Sequence, residues 1–183
     1  MLHAFNFKKE VMKPCFFILF FFGAFSFLNI YAQTDIVRDG FIIQADPASK
    51  FITFEDTCSI NYSNKSPRDL DDKPVSLYSI KVLFKRDRKG MEEDIFNKNQ
   101  LDQIKRYRPF AIVYICSKTK KVVAISFVFR DMNESDIRMI NTDKLSRYRD
   151  SLKNQIEVDE WFFERDIAEH GFIKQSFRVF YSD

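Results

Sequence analysis

The chain is short of the residues on which most enzyme chemistry depends. It has two His, three Cys and four Gly among 183 residues. One of each (His3, Cys15, Gly23) lies in the first 32 positions, which read as a removable leader. What is left is His170, the distant pair Cys58 and Cys116, and Gly40, Gly90 and Gly171. A zinc site needs three or four convergent ligands, and no Cys-x-x-Cys or His-x-x-x-His spacing supplies them. Asp69, Asp71 and Asp72 are acidic, but they lack the alternating ligands, the central Gly and the distal Glu of a calcium loop. They read as a solvated loop. So few glycines leave no phosphate-cradling loop and no Gly-x-Ser-x-Gly elbow. Cys116 and His170 could be paired on paper as nucleophile and base. Cys116 closes an apolar strand, however, and His170 precedes Gly171 at a turn. The sequence therefore assigns no catalytic residue, no metal ligand and no cofactor.

A large excess of charge is also missing. The formal net charge is +3, and Lys8, Lys9 and Lys13 against Glu10 place most of that excess in the leader. The remainder is close to neutral, which excludes the basic field of a nucleic-acid binder.

Phenylalanine is abundant, with 22 in the chain and nine of them before Gln33. Lys13 is followed by an apolar run from Phe16 to Leu28, and Ala32 ends the segment. A basic start, an apolar stretch and a small residue at the end make a secretory signal peptide. The run is too short to span a bilayer as a helix, which takes about 20 residues. Cleavage after Ala32 would leave Gln33–Asp183, a length suited to one globular domain with its own core. The expected location is periplasmic or secreted. Cys15 precedes the apolar run and so cannot be a lipid-attachment residue at the cut, which leaves no stable membrane anchor. Met12-Lys13-Pro14 offers a second start for the same leader. In an exported chain Cys58 and Cys116 can be bridged or free. A bridge closing so long a loop would contribute about 4 kcal/mol in the chain-entropy account.

The pattern along Gln33–Asp183 predicts an α+β fold with a mostly antiparallel sheet and one or two helices packed on one face. Thr34 to Phe54 reads as a hairpin about the Ala45–Lys50 turn, and residues 61–73 as a polar surface loop. Val75 to Phe84 reads as a strand with imperfect alternation. Lys85–Gly90 is a charged turn. A helix follows over 97–107, with Asn97 or Asn99 at its start, and Pro109 ends it. Phe110–Cys116 is apolar throughout, which predicts a strand covered on both faces. After a turn at 117–121, Val122–Phe129 alternates large odd and small even positions, so the odd set faces the core. Asn133–Asp136 carries polar turn or capping residues. Thr142 caps an amphipathic helix over 143–156, with Leu145, Tyr148, Leu152 and Ile156 on its apolar stripe. Glu157–Phe163 fits neither helix nor strand clearly, and residues 172–181 form a last strand.

Candidate binding residues come from what remains. Glu92, Glu93 and Asp94, and Glu157, Asp159 and Glu160, are carboxylate groups that a hydrolase would need in a cleft. As sequence they read as solvated helix starts and turns. Lys105-Arg106-Tyr107-Arg108 reads as a helix end meeting the macrodipole, and Lys118, Lys120 and Lys121 as a charged hairpin tip. Trp161-Phe162-Phe163 stands out, because three consecutive rings cannot all face one way in a strand. Either two cover the core or one stands exposed as a binding anchor. A cavity lined by Phe127, Phe129 and Leu152 would suit a small apolar ligand.

The order strand (110–116), strand (122–129), helix (143–156), strand (172–181) resembles the C-terminal domain of TonB-type energy-transducing proteins. The leader ending Tyr31-Ala32-Gln33 resembles those of exported proteins of unknown function from anaerobic Gram-negative bacteria. The resemblance implies a ββαβ unit around a short sheet. The chain differs in having Lys118-Thr119-Lys120-Lys121 where that family has an Asp-Gly turn. It also lacks the family's Tyr-Pro motif before the helix and its proline-rich linker, so no functional residue carries over. The expected function is a non-enzymatic interaction module. Its expected partner is an envelope protein or peptide, recognised by sheet-edge pairing or by the aromatic residues Trp161, Phe162 and Phe163.

Overall fold

The structure, a computed structural model, describes residues 35–46 and 48–180, all within one compact unit, Gln33–Asp183. The leader and Pro47 lie outside the described residues. β1 (Ile36–Arg38), β2 (Phe41–Asp46) and β3 (Phe51–Asp56) form an antiparallel meander. The sequence predicts a single hairpin here, and the additional turn is Asp39-Gly40. Both residues have positive φ, 49° and 79°, as a two-residue Asp-Gly hairpin turn requires. Five other strands follow: β4 (Leu77–Phe84), β5 (Phe110–Cys116), β6 (Val122–Arg130), β7 (Ile156–Phe163) and β8 (Phe172–Arg178). They make a six-stranded antiparallel sheet in the order β1-β2-β3-β6-β5-β8 and a separate ribbon, β4-β7.

Among the described residues three α-helices accompany them: α1 (Arg88–Ile95), α2 (Lys98–Lys105) and α3 (Thr142–Gln155). The α+β class with a mostly antiparallel sheet is as the sequence predicts, but there is one helix more. Its signal was local. Asp87 at the end of the charged run accepts hydrogen bonds from the Lys89 and Gly90 amides and starts α1. Asn97 caps α2 in a reciprocal box with Gln100. The cap of α3 is Asn141 rather than Thr142, since the Asn141 carboxamide accepts from the Lys144 amide. The Thr142 hydroxyl instead bonds Asp39 in the β1–β2 turn.

Odd positions of β2, β5 and β6 face the core, together with the even positions Ile52 and Phe54 of β3. Phe41 packs edge-on against Phe54 (6.2 Å) and Phe127 (6.0 Å), and Phe54 against Phe129 (5.0 Å). Leu145, Tyr148 and Leu152 of α3 cover them, all fully buried. Each such side chain contributes about 2 kcal/mol by leaving water. The even face of β6 is buried too, at Ala124, Ser126 and Val128. Neighbouring Tyr114 on β5 is also buried and interacts with Ser59, whose short 3-10 turn (Ser59–Asn61) lies over this side. That second cover explains the small even residues.

The β3–β6 register runs from Phe51↔Arg130 to Phe54↔Phe127 and then stops. Beyond it, buried Asp56 takes over the ladder, accepting from the Ile125 amide (3.2 Å) and donating its own amide to Ser126 Oγ (3.1 Å). Arg149 of α3 lies 3.8 Å from the same carboxylate and donates to the Gly40 carbonyl at 3.2 Å. Its guanidinium also sits over the Phe41 ring, so one side chain fixes the helix to the meander.

Gly171, before β8, lies against the 65–67 segment, which crosses the start of that strand. A Cβ there would run into the Lys65 carbonyl oxygen and sit 2.5 Å from Ser66 C. Backbone cannot move aside as a side-chain tip can. Gly171→Ala is expected to cost about 2 kcal/mol through overpacking, read as a lower urea midpoint with unchanged slope. An unchanged midpoint would show that the crossing is not tight.

Candidate functional site

Two β-bulges shape the β4–β7 ribbon. On β7 the pairing passes from Val82↔Val158 to Lys81↔Glu160, so Asp159 is the additional residue. On β4 it passes from Ser79↔Phe162 to Leu77↔Phe163, so Tyr78 is additional. Each bulge shifts the alternation by one residue, which is why neither strand shows clean period-two patterning. Ile156 and Val158 point inward before the first bulge, and Trp161 and Phe163 after it. The inner face (Ile80, Val82, Phe84, Trp161) packs on the core. Phe84 meets Phe177 of β8 at 5.3 Å, and Arg88 lies over both rings.

The aromatic triplet therefore divides. Trp161 and Phe163 lie half-buried 5.3 Å apart. Phe162 stands outside, 58% exposed, opposite Ser79 and beside the bulged Tyr78, which is 80% exposed. Leu83, another outward residue of β4, is 45% exposed. Lys81 and Asp159 form an ion pair at 2.6 Å on the same ribbon. The basic hairpin tip braces this ribbon from the main sheet. Lys120 donates to the Asp159 carbonyl at 3.2 Å and lies 5.5 Å over the Trp161 ring. Tyr78 and the bracing role of Lys120 escaped the sequence reading, because both depend on a register that residue types do not reveal. β1 and β8 are the edges of the large sheet.

The carboxylate groups separate as well. Glu93, Asp94, Glu157, Asp159 and Glu160 are exposed, and Asp94 pairs with Arg86 at 2.6 Å. Glu92 turns inward and is 3% exposed. One of its oxygens accepts from the Tyr148 hydroxyl and from the Phe180 amide, each at 2.8 Å. Burial pushes the Glu92 carboxyl above its ordinary range, against the pull of those two donors and of Arg88 and Lys105. Burial, and then Glu92 itself, raise the Tyr148 hydroxyl, which stays a donor.

The clefts among the described residues include two that are open to solvent. A small one, about 90 Å³, is lined by Asp87–Lys89, Glu92 and residues 178–180. A polar one, about 430 Å³, lies between Arg38, Gln100, Arg138 and the start of α3. Phe127, Phe129 and Leu152 line neither; all three are fully buried in the core. His170 meets Ser117 Oγ (3.1 Å) rather than Cys116, and that oxygen also accepts from the Gly171 amide at 2.9 Å. Ser117 thus ties the start of β8 to the end of β5.

Cys58 and Cys116 are both free, so the bridge that the sequence allows is not formed. β6 lies between β3 and β5. Two ladder steps put the ends of those strands about 10 Å apart, and a disulfide does not reach across more than about 7 Å between Cα atoms. Burial raises the Cys116 thiol, but hydrogen bonds from Thr119 and Lys118 outweigh it and leave its pKa below the ordinary value. Among the described residues, no three His, Cys, Asp or Glu converge as metal ligands.

The chain has a structural likeness to a DUF5043 family protein from Bacteroides uniformis. The TM-score is 0.54 at 18% identity, over 80% of this chain and 89% of that one. This likeness extends to the fold. No family model matches the chain, and no curated protein matches it.

The buried carboxylate has a measurable signature. Its pKa is raised on folding, so its protonated form is the one that folding favours. That contribution is full below the ordinary value of 4.5 and is lost as pH rises through the folded-state value. Relative to Glu92→Gln, the native protein should lose stability across that window and then level off. Urea unfolding of both proteins from pH 4 upward checks this; a pH-independent difference would contradict it.

Proposed function

We propose that the protein is an exported, non-enzymatic binding module of the cell envelope. Its partner, an envelope protein or peptide, docks on the outer face of the β4–β7 ribbon. The observation that carries this reading is the pair of exposed rings, Tyr78 and Phe162, set together by a bulge with Leu83 on the same strand. Single exposed apolar residues are ordinary, but clustered ones on a rigid element mark interaction surfaces. The rings are held by a hydrogen-bonded ladder backed by Trp161 and Lys120, so little order remains to be imposed on binding. Aromatic anchors of this kind carry much of the energy of protein interfaces. The Lys81–Asp159 pair lies on the same face between these rings and Leu83.

The test is capture from envelope extract by the native protein and by the Tyr78→Ser/Phe162→Ser variant. Loss of an anchor ring costs about 2 kcal/mol, so the variant should bind its partner at least about thirtyfold more weakly. Its urea midpoint should barely move, since surface changes stay within about 0.5 kcal/mol. Equal capture by the two proteins would reject this face as the binding surface.

A further inference from the structure

The outer face of the β4–β7 ribbon carries charge in a definite order around its exposed ring. Beyond the Asp159 bulge, Glu160, Phe162 and Glu164 alternate with the half-buried Trp161 and Phe163, so all three point outward, and all are exposed. The Glu164 amide continues the ladder by donating to the Ser76 carbonyl at 3.1 Å, which fixes its place in the row. Phe162 therefore stands between two carboxylates, one on each side along the strand.

The cations nearby are already engaged. Lys81 pairs with Asp159 at 2.6 Å, and Lys85 lies 3.8 Å from Glu157. Lys120 is held by the Asp159 carbonyl and the Trp161 ring. Arg165 turns to Asp69 and the Pro74 carbonyl. Among the described residues, the Glu160 and Glu164 side chains have no ion-pair or hydrogen-bond partner. Four carboxylates (Glu157, Asp159, Glu160, Glu164) thus stand against two amines (Lys81, Lys85), which leaves the face net acidic.

We propose that the segment docking on this face is basic: an extended stretch with Lys or Arg on either side of an apolar residue, in the pattern cation-x-apolar-x-cation. This partner chemistry presupposes that the ribbon is the binding face. In an extended chain every second residue faces the same way, and four residues span about 13 Å, the same as from Glu160 to Glu164 along β7. A segment laid along β7 brings its apolar residue to Phe162 and Tyr78 while its cations meet Glu160 and Glu164. The stems of those cations can also lie on the exposed rings, whose faces attract positive charge. An acidic segment would meet the same two carboxylates and be repelled.

Titration of the protein expressed from the full chain with synthetic peptides, followed by amide chemical shifts, tests this. The probes are Ser-Lys-Thr-Leu-Thr-Lys-Ser and the same peptide with Glu in place of both Lys. The Lys peptide should shift the amides of the ribbon and bind at least about fivefold more tightly than the Glu peptide, because one gains two exposed charge pairs and the other two repulsions. In about 1 M salt, where the screening length is about 3 Å, the preference should vanish. Glu160→Gln/Glu164→Gln changes two exposed, unpartnered side chains, so it should fold like the native protein and bind both peptides equally. Equal binding of the two peptides by the native protein, or an undiminished preference in that variant, would overturn the basic partner while the ribbon stands as the face. No binding of the Lys peptide, or shifts confined to other surfaces, would overturn it as well. Failure of the ribbon itself shows separately, as unchanged binding of the Lys peptide by Tyr78→Ser/Phe162→Ser.

Discussion

A single buried hydrogen-bonded contact, the Tyr148 hydroxyl on the Glu92 carboxyl, organises the helical layer. Tyr148 belongs to the long helix α3 and Glu92 to the short helix α1, and the Phe180 amide from the end of the sheet joins them at the same oxygen. Neither short helix could persist alone, because isolated helices of that length are marginal in water. Their order comes from packing. Phe96 between α1 and α2 meets Tyr148 at 6.0 Å, and Tyr148 stacks on Phe127 of the sheet at 5.9 Å. A buried carboxyl is costly unless satisfied, so these donors and rings hold one another in one arrangement. Asp56 with Arg149, the residue next to Tyr148 on α3, makes a second junction, where a charged pair and the Phe41 ring join the helix to the meander.

The ribbon follows a different logic. No ladder bond joins it to the large sheet, and it rests on side chains: Phe84 on Phe177, and Lys120 on Trp161. Its bulges let two neighbouring strands carry apolar residues on the inner face while leaving Tyr78 and Phe162 outside. A regular strand could not have placed Val158 and Trp161 on one side. The surface taken here as the binding face is thus a product of register more than of composition.

Much of the architecture was legible because it rests on local periodicity. The all-apolar Phe110–Cys116, the odd-position set of Val122–Phe129 and the stripe Leu145–Tyr148–Leu152 each declare their element and its inner face. What escaped depends on non-local geometry or on short capping signals. Helix α1 hides in a charged run because Asp87, not an apolar stripe, starts it. The imperfect alternation of residues 75–84 and the ambiguity of 157–163 have one cause, the paired bulges. Phe162 was visible as one of three candidate rings, but only the register separates it from Trp161 and Phe163. Glu92 looked like one of several surface acids until Tyr148 and Phe180 were seen to meet it.

The adjacency of β3 and β6 implies an order of assembly. The β5–β6 hairpin and the α3 that follows it are close in sequence, so their contacts close short loops. β3 reaches β6 only across the whole stretch that holds β4, α1, α2 and β5. Closing that interval removes chain entropy before any ladder bond can repay it. The meander is itself local, so it can form as a unit and dock late, through four residue pairings and the Asp56–Arg149 junction. The seam at which the sheet is completed is therefore also where folding is expected to be slowest, and one aspartate at its end decides where the strands stop.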